Sequence, residues 1–326
     1  MRVNETLPLV FTALMGGAIL AYVVLDGYDL GVGMLMPAAS REEQDRMVDS
    51  IAPFWDANET WLVLGIGLLL VAFPAAHGVI LGALYLPVAA MLVGLMLRGV
   101  AFELRIKAQG WHRELWNWLF WAGSFLASFA QGLMLGRYIT GFGPGFGHWL
   151  FAVVVAGGLC GGYVTLGATW LVLKTEQGLK EKAAAWARWG LLWIALGIAL
   201  VSAATPLASE TVRAKWFAFP RIAFLSVLPL ATAAAWLWVW VSLRKSDWKP
   251  FAGAVAIFVL AFAGLAYSLF PYVVMDRLTI WQAAAHPSAL KFVLAGTLVV
   301  LPFIAGYTIY VYRVFRGKAR AGAYEH

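Results

Sequence analysis

Long, uninterrupted runs of apolar residues alternate with short polar segments along the whole chain. An α-helix needs about 20 mostly apolar residues to cross the roughly 30 Å of hydrocarbon in a bilayer. The runs are continuous and do not alternate with a period of two, which argues against a membrane β-barrel. The pattern predicts an all-α integral membrane protein with about nine transmembrane helices, at residues 7–30, 51–73, 78–98, 115–137, 149–173, 186–205, 217–243, 250–271 and 290–314.

Prolines and the lengths of the polar segments refine this arrangement. Pro74 and the His77-Gly78 pair separate the second span from the third, and Pro220 and Pro229 predict a kink near the start of the seventh. No segment between spans is long enough for a soluble domain, so we expect residues 1–326 to form a single polytopic membrane domain. The span count fits two four-helix bundles, from spans 1–4 and 5–8, with the ninth span peripheral.

Composition supports membrane residence and gives the orientation. The chain of 326 residues is 62% hydrophobic and 13% charged, whereas a soluble domain carries about 25% charged residues. Most of its 24 lysines and arginines fall in loops on one side if the N-terminus lies outside, which predicts a cytoplasmic C-terminus and an odd number of spans. The net charge of +7 is therefore explained by topology, and we expect membrane lipids and no nucleic acid as partners. The first apolar run is too long for a cleavable signal peptide, and we expect it to be retained as a span.

Acidic residues inside the first two spans are the candidates for function. Asp26 and Asp29 lie three residues apart, on one face of the first helix near its inner end. Asp56 is expected in the first turn of the second span, where the helix dipole favours a carboxylate, and Glu59 follows one turn later. Since the second span starts on the side where the first ends, all three aspartates are predicted at the inner leaflet.

The third span returns to the same side with basic residues. Arg98 and Glu103 are thereby predicted to lie near the aspartates, and Arg105 is expected with them among the supporting ion pairs. Ionisable groups in membrane spans are costly and usually functional. Two interpretations carry equal weight on these residues alone: a structural ion-pair network that docks spans 1 to 3, or an entry path for protons or cations.

Other chemistry finds little support in the sequence. The five histidines lie in loops, at span ends or at the C-terminus, without the paired spacing that a heme site inside a span would need. Metal, phosphate and dinucleotide fingerprints are missing as well. Gly27 and Gly31 are predicted to let helices approach closely.

Several motifs resemble those of one known family. DGYDLGVGML at 26–35, SIAPFWDANETW at 50–61 and RGVAFELR at 98–105 are similar to segments of subunit II of cytochrome bd-type quinol oxidases. Gly33, Trp55, Asn58 and Trp61 belong to these motifs. The likeness runs along the whole chain, and shorter matching segments lie at 116–118, 123–125, 167–170, 270–271 and 278–281.

The resemblance implies a subunit of a terminal oxidase in the bacterial inner membrane. Such an oxidase oxidises quinol and reduces O2 to water in aerobic respiration, as a heterodimer. Its larger subunit I carries two b-type hemes, heme d and the quinol site, and subunit II is expected to bind no cofactor directly and to stabilise its partner. Small accessory subunits and a structural quinone are further expectations from the family.

The resemblance also bears on the acids. The family's residues that match Asp26, Asp29 and Asp56 are implicated in proton uptake from the cytoplasm, which favours a relay through Asp56 first and Asp26 second. Asp29 and Arg98 are expected to support it. The chain departs from other members in having Ala57 and Glu59 where they carry Gly and Gln. Its short loops and the segment at 217–222 resemble the cyanide-insensitive branch of the family.

Two other functions compete with that of an oxidase subunit with a proton path. An ion-coupled secondary transporter would show internal repeats and broken helices near the membrane midplane, whereas the charges here gather at one leaflet and no repeat is evident. A purely structural assembly subunit stays open, because holding helices together and conducting protons would bury the same residues.

Overall fold

Helices make up almost the whole structure, a computed structural model that describes residues 3–219 and 221–319. Nine helices within these ranges are long and apolar enough to cross a membrane, which confirms the predicted fold class. A two-stranded antiparallel hairpin, β1 (Tyr272–Val274) and β2 (Leu278–Thr279), joins the last two spans. The helices are α1 (Val3–Leu35), α2 (Arg41–Ile51), α3 (Trp55–Ala72), α4 (Pro74–Lys107), α5 (Gly110–Ile139), α6 (Phe146–Lys174), α7 (Gln177–Ala208), α8 (Glu210–Phe217), α9 (Arg221–Leu225), α10 (Val227–Ser242), α11 (Lys249–Leu269), α12 (Ile280–Ala283) and α13 (Pro287–Val314).

The short helix α2 was not predicted. Ser40 caps it by accepting a hydrogen bond from the Glu43 backbone nitrogen, while the Glu43 side chain accepts one from the Ser40 nitrogen. This reciprocal capping box satisfies donors that the helix start would otherwise leave free. Met47 and Ile51 bury the apolar face of α2. Since α2 ends at Ile51 and a turn containing Pro53 follows, the second span begins at Trp55 and not at the predicted residue 51.

The seventh span is broken, in line with the kink predicted for it. Helix α9 ends at Leu225 and α10 starts at Val227. Pro229 has no backbone N–H to bond the carbonyl of Leu225, which accounts for a break at this point. Pro220, the other proline predicted to bend this span, lies outside the described residues.

Helix α1 is central to the packing. It contacts α3, α5 and α6, while α4 packs on α5, α6 on α7, and α10 on α11. Helix α6 contacts α1 and α5 as well as α7 and α11, so extensive packing crosses the predicted boundary between two four-helix bundles. That division stays a prediction. Helix α13 is mostly exposed and touches α3 and α1.

Candidate functional site

Arg98 lies fully buried in the membrane-spanning part of α4, with 1% of its side chain exposed. Its Nη1 is 2.7 Å from Oδ1 of Asp26 on α1, which is 0% exposed. Its Nη2 donates a hydrogen bond to Glu59 on α3, whose side chain is 30% exposed. One guanidinium therefore joins three helices, and the acids at its two ends differ in their access to the surroundings.

The backbone makes room for this arginine. Helices α4 and α5 cross where a Cβ added to Gly123 would lie 2.7 Å from the Arg98 nitrogen. A Cβ on Gly94 would likewise meet the α5 backbone at 2.7 Å, from the Ala127 nitrogen. Only glycine permits so close a crossing. The crossing holds the Arg98 backbone against α5.

Asp29 lies one turn after Asp26 and is completely buried. Asn58, also completely buried, donates from Nδ2 to Asp29 Oδ2 at 2.8 Å. The same nitrogen lies 3.2 Å from the Leu25 carbonyl oxygen and 3.0 Å from the Tyr28 hydroxyl. The second oxygen, Oδ1 of Asp29, has no hydrogen-bond partner among the residues that the structure describes.

Two tyrosines complete the surroundings of Asn58. The Tyr28 and Tyr312 hydroxyl oxygens are 2.5 Å apart, and Tyr312 donates to Asn58 Oδ1 at 3.2 Å. The Tyr28 ring stacks on Trp170 with centroids 4.1 Å apart. Sequence reasoning named neither tyrosine as functional. Tyr28 sits between two acids that it did single out, but Tyr312 lies in the last span, and nothing in its local sequence connects it to the first.

A polar chain continues from the cluster toward the middle of the bilayer. Tyr22 lies four residues before Asp26, about 6 Å along the helix axis. Gln131 on α5 donates to the Tyr22 hydroxyl at 2.8 Å and accepts from the Tyr163 hydroxyl at 2.6 Å. None of these three residues was predicted from the sequence. A lone Gln within an apolar run is its only visible signal.

The first turns of α3 carry the other predicted residues of the second motif. Asp56 is exposed, one turn before Glu59 and on the same side of the helix. Trp55 packs against Phe102, with ring centroids 4.9 Å apart. The Trp61 indole nitrogen is buried without a hydrogen-bond partner among residues 3–219 and 221–319. The acids of α3 thus lie at the surface of the chain, and those of α1 lie inside.

Two of the residues predicted to support the aspartates through ion pairs lie away from them. Glu103 is exposed, because five residues along a helix turn its side chain well away from the face of Arg98. Arg105 is about 10 Å further along α4 than Arg98 and forms a separate group. It pairs with Asp45 of α2 and donates to Asn117 of α5, both at 2.6 Å. The structure therefore brings together the acids of α1 with Glu59, Asn58 and Arg98, but not Glu103 or Arg105.

The glycines of the first motif lie at helix crossings. A Cβ on Gly31 would fall 1.8 Å from the Tyr163 carbonyl oxygen, so α1 and α6 touch backbone to backbone there. A Cβ on Gly33 would meet the Ser124 hydroxyl of α5 at 2.1 Å, and one on Gly27 would meet the Tyr163 ring at 2.7 Å. These crossings hold α1 against α5 and α6 on both sides of Asp29 along the chain.

The charges of the cluster do not balance when every group is ionised. Asp26, Asp29 and Glu59 are three carboxyl groups around one guanidinium, Arg98. Unpaired charge in a membrane interior costs several kcal/mol, about 3 kcal/mol or more for a carboxylate. The three carboxyl groups therefore outnumber the one cation that the structure places among them. Among the described residues, no group of three or more His, Cys, Asp or Glu side chains could hold a metal ion.

Comparison with known proteins places these features in one family. The model of the family described as cytochrome bd terminal oxidase subunit II matches residues 7–315. The chain is 30% identical to cytochrome bd ubiquinol oxidase subunit 2 of Bacillus subtilis, over 91% of this chain and 92% of the relative. It is 28% identical to cytochrome bd-I ubiquinol oxidase subunit 2 of Escherichia coli K12, over 96% and 95% of the two chains. A chain in the solved structure of bd oxidase from Geobacillus thermodenitrificans is similar in fold, with a TM-score of 0.78 at 15% identity, over 95% of this chain and 98% of the other.

Proposed function

The chain belongs to the cytochrome bd terminal oxidase subunit II family, and from this membership we propose that its buried acid cluster carries protons for the oxidase reaction. Membership makes the chain a multi-pass protein of the bacterial inner membrane and a subunit of a quinol:O2 oxidoreductase. The observation that supports the proton role is the burial of Asp26 and Asp29 beside a single cation, Arg98.

The electron-transfer chemistry belongs, in this proposal, to a heme-bearing subunit I. That partner holds two b-type hemes and heme d, oxidises quinol and reduces O2 to water, while the present chain binds no heme and stabilises its partner. The family name itself, subunit II, supports the existence of such a partner. Small accessory subunits and a structural quinone complete the proposed complex.

Asp56 and Glu59 support a lateral contact with the partner. Asp56 is exposed, and Glu59, 30% exposed and bonded to Arg98, lies about 5 Å deeper along α3. Charged groups exposed to lipid are unfavourable, so a polar protein surface covers this face better than acyl chains do. With the N-terminus outside, as the charge distribution predicts, protons enter from the cytoplasm and pass between Glu59 and Asp26 beside Arg98.

The test is turnover of the intact oxidase at equal heme content. We expect Asp26→Asn and Glu59→Gln to lower quinol-driven O2 consumption at least about tenfold, because loss of a positioned proton acceptor usually costs more than that. Asp56→Asn is expected to lower it as well. Glu103→Gln is the matched control, since this exposed acid on α4 takes no part in the cluster and should leave turnover unchanged. Turnover at the wild-type level in Asp26→Asn, Glu59→Gln and Asp56→Asn alike would refute the proton role.

A purely structural role is the second candidate, and one observation favours it. Arg98 ties α1, α3 and α4 together through Asp26 and Glu59, which a subunit without proton traffic would also need. The same variants separate the two functions. If they lose heme or fail to assemble while Glu103→Gln is normal, the cluster is structural.

A further inference from the structure

A closed ring of hydrogen bonds lies beside Asp29 and is formed by the side chains of Asn58, Tyr28 and Tyr312. The three contacts are 3.0 Å from Asn58 Nδ2 to the Tyr28 hydroxyl, 2.5 Å between the two hydroxyls, and 3.2 Å from Tyr312 to Asn58 Oδ1. The ring joins three helices, since Tyr28 is on α1, Asn58 on α3 and Tyr312 on α13.

Counting hydrogens fixes the direction of every bond in this ring. Tyr312 has one hydroxyl hydrogen, which it gives to Asn58 Oδ1, so the hydrogen between the two hydroxyls must come from Tyr28. The Tyr28 oxygen in turn accepts from one N–H of Asn58. The second N–H of the amide is then left for Asp29 Oδ2, at 2.8 Å, with the Leu25 carbonyl oxygen nearby at 3.2 Å.

We propose that Tyr312 is a positioning residue for the proton site, because its hydroxyl closes the ring that aims the Asn58 amide hydrogen at Asp29. This inference rests on the proposed proton role and extends it to the last span. Helix α13, which is mostly exposed and which the sequence predicts to be peripheral, then contributes one hydroxyl group to the cluster.

The location of Tyr312 supports a role in orientation. Its ring lies against Phe54, with centroids 4.6 Å apart, and its hydroxyl points into the buried cluster. Without that hydroxyl, Asn58 Oδ1 loses its donor inside the membrane, and the amide is no longer held with its nitrogen toward Asp29. Asp29 then loses the one hydrogen bond that a side chain donates to it among the described residues.

The experiment compares three single variants in the intact oxidase at equal heme content. Tyr312→Phe and Tyr28→Phe each remove one hydroxyl from the ring and keep the aromatic packing. Tyr310→Phe is the control, since Tyr310 is 65% exposed on the same helix. The readouts are quinol-driven O2 consumption and the carboxyl C=O band of Asp29 in redox-difference infrared spectra, identified as the band that Asp29→Asn removes.

We expect Tyr312→Phe and Tyr28→Phe each to lower turnover about fivefold, the equivalent of one hydrogen bond, and to shift the Asp29 band. The double variant should be no slower than either single variant, because breaking a ring once already frees the amide. Tyr310→Phe should match the wild type in both readouts.

Three results would overturn the inference. One is an unshifted Asp29 band with wild-type turnover in Tyr312→Phe, and another is a double variant whose losses multiply. The third is failure of both tyrosine variants to assemble with normal heme content, since the hydroxyls would then be structural. If instead Asp26→Asn, Glu59→Gln and Asp56→Asn all keep wild-type turnover, the proposed proton role fails, whatever the tyrosine variants do.

Discussion

The ion pair between Arg98 and Asp26 predicts a large coupling free energy in the folded chain. Both side chains are at most 1% exposed, and the closest nitrogen and oxygen are 2.7 Å apart. The perturbation is a double-mutant cycle made of Asp26→Asn, Arg98→Met and the two together. Each single substitution removes one charge and leaves the other buried charge without this partner, and the double substitution removes both charges.

The expected magnitude follows from burial and distance. With charge centres about 4 Å apart and an effective dielectric constant near 20, the attraction is about 4 kcal/mol. Breaking a buried pair by removing one partner usually costs about 3–5 kcal/mol, because the other charge stays buried. Asp26→Asn should lie near 3 kcal/mol, since Arg98 keeps Glu59. Arg98→Met should cost at least as much, because Asp26 and Glu59 both lose their partner.

The double variant tests whether the cost of each single substitution comes from the charge that it leaves unpaired. If both single costs come mainly from an unpaired charge, removing both charges should restore part of the loss and leave a coupling free energy of about 2 kcal/mol. The assay is unfolding of the full chain in mixed detergent micelles, followed by tryptophan fluorescence from its 17 indoles and by far-ultraviolet circular dichroism. Additive losses, or single variants within about 1 kcal/mol of the wild type, would refute the reasoning.

Two further predictions concern packing and surface charge. Gly31→Ala should cost several kcal/mol or prevent folding, because its Cβ would fall 1.8 Å from a carbonyl oxygen of α6, whereas Gly17→Ala, with nothing within 4 Å, should be neutral in the same unfolding assay. Lys180 and Lys318 hold the pKa of Asp247 below its ordinary value. The two ion pairs therefore stabilise the folded chain at neutral pH, and this contribution is lost as the pH falls through the lowered pKa of Asp247. Asp247→Asn should therefore lower stability by less than about 1 kcal/mol at pH 7 and match the wild type in strong acid; an equal loss at both pH values would contradict this.

The transmembrane helices could be predicted because burial in lipid imposes a simple rule on sequence. Each span must be long and apolar, whatever its neighbours are, and nine such helices are present in the described ranges. Helix α2 escaped prediction because it lies outside that rule. Its stability comes from the Ser40–Glu43 capping box and a narrow apolar face, and neither of these local features produces a long apolar run in the sequence.

The candidate site could be predicted only as far as topology brings chain segments together. Asp26 and Arg98 were expected on one side of the membrane, and the structure places them in contact. Glu103 was expected there as well, but it is exposed, because it lies on a different face of α4 from Arg98. Topology predicts the side of the membrane on which a residue lies, but not the face of the helix to which it belongs. Tyr312 needed knowledge of which helices pack against α1 and α3, which is a property of the tertiary structure.

Helix α3 couples the ring to the acid cluster, because adjacent residues on it serve both. Asn58 gives its amide hydrogen to Asp29, and Glu59 accepts from Arg98. A shift of α3 by one residue would break both contacts together. Its start is held by Phe54, which packs on Trp170 and on the Tyr312 ring, with centroids 5.5 and 4.6 Å away. Packing at the start of α3 therefore sets the geometry of the acid cluster, and a substitution that loosens this packing should also weaken the contacts of Asn58 and Glu59.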